Sequence, residues 1–93
     1  MRYDWDPAKD ALNRRKHGLS LSDGIPALED LKRVSWIDDR FDYGEERIVT
    51  LGRNDRKVLV VVSIEEEDER VIRIISVRKA KQHETDWFYF GRT

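Results

Sequence analysis

The side chains of this sequence that could do chemistry on a phosphate are a histidine, its neighbouring lysine and a scattered set of arginines. His17 follows Lys16 and precedes Gly18. An imidazole ordinarily titrates near neutrality, which suits it to the general acid or base role that RNA cleavage needs. At the end of a helix the same residue would also gain from the helix dipole as a plain structural cap. In the run Arg70–Val77, strict alternation puts Val71, Arg73, Ile75 and Val77 on one face and Ile72, Ile74, Ser76 and Arg78 on the other. Arg73 is then a guanidinium in an apolar row, and a buried unpaired charge is costly. It must pair with a carboxylate, reach an edge or line a groove that meets an anion. Arg53 falls in a predicted hairpin turn, Arg47 stands beside Glu45 and Glu46, and Arg78, Lys79 and Lys81 form a basic step between a strand and a helix. Each of these fits either a phosphate contact or an ordinary solvated charge.

Other chemistries lack their residues. With no cysteine there is neither a disulfide framework nor a thiolate metal site. His83 has no companion at metal-ligand spacing, so no metal or other cofactor is expected. No Gly-rich phosphate loop, Ser-His-Asp order or paired-carboxylate motif is present, which leaves ATP hydrolysis, acyl transfer and glycoside cleavage without support.

The elements that must position these residues read as one small domain over residues 1–93, for the chain has 93 residues and no repeat or linker. Asp6 and Pro7 read as N-cap and first residue of a helix that ends near His17 and is closed by Gly18. Ser20–Asp23 reads as a second helix start, weakened by Gly24 and Pro26, with an end near Asp30. A short β-prone run, Val34–Ile37, precedes an acidic loop from Asp38 to Glu46. Arg47–Leu51 and Lys57–Ile64 read as two strands joined by a turn at Gly52–Asp55; Glu65–Glu69 is a charged turn and Arg70–Val77 a third strand. The continuous apolar run Val58–Val62 belongs at the sheet centre, and a helix from Arg78 to about Phe90 closes the chain. The predicted fold is α+β: two N-terminal helices, a three- to four-stranded antiparallel sheet and a C-terminal helix.

Charge is sorted along this frame. Lys plus Arg minus Asp plus Glu is +2 for residues 1–20, −5 for 21–46, +3 for 47–64, −5 for 65–69 and +4 for 70–93, which totals the formal −1. A polyanion meets a local surface rather than a net charge, so the basic strands and C-terminal segment keep nucleic acid among the candidate partners. The N-terminal segment has no apolar core of a signal peptide and Val58–Val62 is too short to span a bilayer, so a cytoplasmic protein without membrane contact is expected.

Trp5-Asp6-Pro7-Ala8-Lys9, Asn13, Lys16-His17-Gly18, Gly44-Glu45-Glu46-Arg47, Gly52-Arg53 and Arg73 through Ala80, in this order and spacing, resemble the BrnT toxins of bacterial type II toxin–antitoxin systems. The resemblance runs from Trp5 to about Glu84. It implies a RelE-like fold and a metal-independent endoribonuclease that arrests translation by cutting RNA. It also implies a heterotetramer with a BrnA-like ribbon-helix-helix antitoxin, and operator DNA bound only through that antitoxin. Carried onto the matching positions, His17 with Lys16 would transfer protons, and Arg53, Arg73 and Arg78 would hold phosphate in the catalytic site. Arg47, Lys79 and Lys81 would bind RNA, and Glu46 is of second rank. A non-catalytic RNA- or protein-binding module on the same fold is the alternative.

Overall fold

Asp6 and Pro7 begin the first helix in the way their chemistry dictates. The Asp6 carboxylate accepts a hydrogen bond from the Ala8 N–H at 2.8 Å, Pro7 occupies a position whose N–H would go unused, and Gly18 closes the helix with φ 71°. The computed structural model describes residues 1–40, 42, 44–66 and 70–91. Its elements are β1 (Arg2–Asp4), α1 (Pro7–His17), a 3-10 turn (Leu21–Gly24), α2 (Ile25–Leu28), β2 (Val34–Asp38), β3 (Arg47–Asn54), β4 (Lys57–Glu66), β5 (Val71–Lys79) and α3 (Gln82–Phe90).

The fold is α+β, and several expectations are corrected in detail. The sheet is five-stranded and mixed, in the order β1-β5-β4-β3-β2, rather than three- or four-stranded and antiparallel: β1 lies parallel to β5, with Arg2 opposite Val71 and Asp4 opposite Arg73. Three residues are too few to show a period, and their partner lies at the other end of the chain. The second N-terminal helix of the expected RelE-like layout is a 3-10 turn leading into the single turn of α2, as Pro26 in its first turn allows. Gly52, Arg53 and Asn54 belong to β3, so the hairpin turn is Asp55–Arg56, with Asp55 at φ 58°. Asp38 ends β2 opposite Arg47 instead of opening a loop, and β5 continues through Lys79, so that the last helix begins at Gln82 and not at Arg78. Of the expected acidic loop, Phe41 and Tyr43 lie outside the described residues, as do Glu67, Asp68 and Glu69 of the charged turn.

The strand Lys57–Glu66 is central, as its apolar run required, and the two sheet faces are covered unequally. On one face α1, the 3-10 turn and α2 pack Leu21 and Ala27 against Leu59, Val61, Ile74 and Val77. Gly52 permits the close approach of α2: a Cβ there would stand 2.1 Å from the Ala27 carbonyl oxygen. The other face carries Val49, Leu51 and Val60, with Trp36, Val62, Ala80, Trp87 and Phe88 packed against them. Only α3 covers that second face, and an open groove remains beside it.

A bulge decides what the groove contains. Val60, Val62 and Ile64 of β4 lie opposite Arg78, Ser76 and Arg73 of β5, with a register shift between Val62 and Ser63 that leaves Ile75 as the extra residue. Strict alternation separates Arg73 from Arg78; the bulge returns both to one face. Among the described residues no helix is long and apolar enough to cross a membrane.

Candidate functional site

A concavity of about 790 Å³ crosses the thinly covered sheet face. Val49, Val60, Val62 and Ser76 line its sheet side, Trp36, Asp38, Asp39 and Arg40 belong to β2 and the residues after it, and Lys16, His17, Arg78 and Glu84 also line it. The Trp36 ring meets Trp87 edge to face at 5.5 Å, fixing β2 to α3.

Lys16 and His17 reach this groove because of a buried amide. Beyond Arg73, the strand β5 has no β1 neighbour, and its exposed edge is closed by Asn13. The Asn13 Nδ2 group donates to the Val77 carbonyl at 2.9 Å and to the Leu19 carbonyl at 2.8 Å, while its Oδ1 accepts from the Val77 N–H at 3.1 Å. One side chain thus imitates a strand neighbour and holds the last turns of α1 along the sheet edge. Residues three and four positions on share its helix face, and these are Lys16 and His17.

Arg78 and Glu84 form a bidentate ion pair in the groove. Arg78 NH1 and NH2 donate to Glu84 Oε1 and Oε2, each at 2.8 Å, and NH1 also donates to the Lys79 carbonyl at 3.3 Å. The Arg78 hydrogen bond, against the effect of burial and with help from the Lys81 N–H, lowers the Glu84 carboxyl from 4.5 to about 2. Glu84 is therefore a fixed carboxylate at any ordinary pH. A guanidinium has five N–H groups, and the side-on fork of Nε–H and the second NH2 hydrogen still points away from Glu84. The Arg78 side chain is 34% exposed, and its Nε–H donates to no group among the described residues. On the β2 side, Arg40 pairs with Asp38 through Nε at 2.9 Å and NH2 at 3.1 Å.

The structure brings His17, Lys16 and Arg78 into one groove and leaves the other expected residues outside its lining. Arg73 shares the sheet face but pairs with Asp4 at 3.1 Å, and this hydrogen bond raises its basicity further. Arg53 stands at the end of β3 against Asp30, 4.0 Å away. Burial alone would raise the Asp30 carboxyl, yet the N–H groups of Lys32 and Arg53 hold it below its ordinary value. Arg47 is half-buried and within 3.7 Å of Glu45; Glu46, Lys79 and Lys81 are exposed. Sequence reasoning missed Glu84, Asp38, Arg40 and Trp36, and it had Asn13 only as one residue of the resemblance, with no role. Glu84 carried a signal of its own, three residues after the N-cap Lys81 at the capping-box position, and this was hidden by placing the helix start at Arg78.

The model of a family described as the ribonuclease toxin, BrnT, of a type II toxin–antitoxin system matches residues 5–84. The chain belongs to the BrnT family. No curated protein matches it. The BrnT segment takes in Lys16, His17, Arg78 and Glu84, and ends before the aromatic residues Trp87 to Phe90. As a member of a type II toxin–antitoxin family, it is expected to have a protein antitoxin as partner. Among the described residues no three histidine or carboxylate side chains are grouped so as to hold a metal ion.

Proposed function

We propose that this BrnT chain is a metal-independent endoribonuclease acting in the cytoplasm, whose cleavage of RNA inhibits translation. The observation that carries the reading is one groove containing an imidazole, an adjacent ammonium and a guanidinium held by a carboxylate. Attack of a 2′-hydroxyl oxygen on the adjacent phosphorus forms a cyclic phosphate and breaks the bond to the 5′-oxygen. One proton leaves the 2′-oxygen and one reaches the 5′-oxygen, so the site needs a group that takes and gives protons near neutrality. His17 fills that role. Lys16 and the open fork of Arg78 hold the phosphate as its equatorial oxygens gain charge. Glu84 positions Arg78 and takes no part in proton transfer, being too weak a base.

Arg73 and Arg53 lie outside this core and would meet only a strand that continues past it. Neutralisation in a heterotetramer by a BrnA-like ribbon-helix-helix antitoxin, through which operator DNA would be bound, fits the family, and a groove open along one face is a surface such a partner could cover. The test is incubation of purified chain with RNA in EDTA. Fragments ending in 2′,3′-cyclic phosphate are expected, and His17→Gln should lower their rate by about two to four orders of magnitude with RNA affinity little changed. A rate that vanishes in EDTA and returns with a divalent cation overturns metal independence. RNA binding without cleavage leaves a binding module.

A further inference from the structure

The groove does not end at His17. On the far side of that residue a smaller pocket of about 230 Å³ opens between α1 and the bulged edge of β5, lined by Lys9, Leu12, Lys16, His17, Ile75 and Ser76 beside Asn13. It is continuous with the groove through Lys16, His17 and Ser76, which line both. Its size is below the roughly 300–1,000 Å³ of a site for a drug-sized molecule, and suits one ring system.

Three observations give this pocket an occupant. First, Leu12 is 54% exposed, the one large apolar side chain that α1 turns to solvent, and the bulge presents Ile75 across from it. Second, Lys9 and Lys16 form no ion pair among the described residues, whereas Arg14 of the same helix is paired with Asp10 at 3.2 Å. Seven positions separate the two lysines, about 10 Å along the axis, so they lie on one face at opposite ends of the pocket. Third, Asn13, the one side-chain amide in the lining, has its Nδ2 and Oδ1 engaged by Leu19 and Val77.

We propose that this pocket is a second nucleotide subsite. It takes one unpaired base, of the nucleotide beyond the two that flank the phosphate in the groove, between Leu12 and Ile75, while Lys9 meets the phosphate that joins this nucleotide to them. With Asn13 engaged, the subsite takes its base by shape and apolar contact and is tolerant of base identity. A base inside a duplex is unable to enter, so the subsite selects single-stranded RNA. This assignment rests on the groove being the RNA-cleaving site.

The test uses oligonucleotides with a single ribose at the cleavable linkage and deoxyribose elsewhere: a dinucleotide, and trinucleotides extended on either side. For the wild-type chain, extension on one of the two sides should lower KM about tenfold, the scale of one added base-and-phosphate contact. Lys9→Ala and Leu12→Asn should each remove most of that gain while dinucleotide cleavage stays unchanged. In parallel, anisotropy with all-deoxy oligonucleotides reads binding alone, where Lys9→Ala should reduce the slope of log affinity against log salt by about 0.7. No gain from extension on either side, or equal losses on the dinucleotide, overturns the subsite and leaves the cleavage reading intact. Binding that depends on length and on Lys9, with no cleavage of any substrate, overturns the cleavage reading and supports the subsite.

Discussion

Replacing Glu84 by Gln removes one negative charge from the groove and keeps an oxygen that can accept from the Lys81 N–H, so it isolates the ion pair with Arg78. The carboxyl is lowered from 4.5 to about 2, which corresponds to at most about 3 kcal/mol between its charged form in the folded and unfolded chain. Glu84 is 11% exposed but Arg78 is 34% exposed, so solvent screens part of this and about 1–3 kcal/mol is expected. Because the folded value is depressed, the contribution is fully present above pH 4.5 and is lost as pH falls towards 2. Urea unfolding of wild type and Glu84→Gln should differ by that amount at pH 7, by about half at pH 3, and by almost nothing near pH 2. Other carboxylates titrate in both chains and cancel in the difference. Cleavage should fall too, since an Arg78 without its partner is free to leave the orientation that presents its open fork. A variant as stable as wild type at pH 7, or a gap that persists at pH 2, refutes the reasoning.

The remaining predictions concern the positioning of the groove. Arg78→Lys, which keeps a cation and loses the fork, should reduce RNA cleavage about 100-fold or more, whereas Arg73→Ala and Arg53→Ala should each cost less than about tenfold by the weakness of distant screened charges; initial rates on one substrate compare the three. Asn13→Ala should destabilise by about 2–4 kcal/mol in urea unfolding, because it strands the Val77 N–H and two carbonyls, and cleavage should fall along with it as the turn bearing Lys16 and His17 loosens. Gly52→Ala should cost about 3 kcal/mol or more, since its Cβ would stand 2.1 Å from the Ala27 carbonyl oxygen, and the urea midpoint would show it.

What the sequence disclosed was local. Asp6, Pro7 and Gly18 mark α1 because capping chemistry acts within a few residues, and the Val58–Val62 run marks the central strand because burial on both faces leaves no polar positions. The parallel pairing of β1 with β5 was hidden, since Arg2–Asp4 is too short to show alternation and its partner is distant. The bulge at Ile75 was hidden as well: an extra residue in a run of β-branched side chains leaves no mark, yet it changes the face of every later position. His17, Lys16 and Arg78 could be named from the chain, but their meeting depended on that bulge and on Asn13.

The groove contains three cations and three carboxylates, a composition poor for a polyanion until the pairing is considered. Lys16, Arg40 and Arg78 face Asp38, Asp39 and Glu84. Two of the carboxylates are bound to guanidiniums in bidentate pairs, Glu84 to Arg78 and Asp38 to Arg40. A guanidinium held in this way loses little rotamer freedom when a phosphate arrives, so its remaining donors act from a fixed position. Lys16 has no such partner among the described residues, and its charge attracts without fixing geometry. Under the proposed cleavage of RNA, the division would meet the two demands of phosphoryl transfer, in which a cation without a fixed partner draws the strand in and a rigid fork meets the charge that develops on the phosphate.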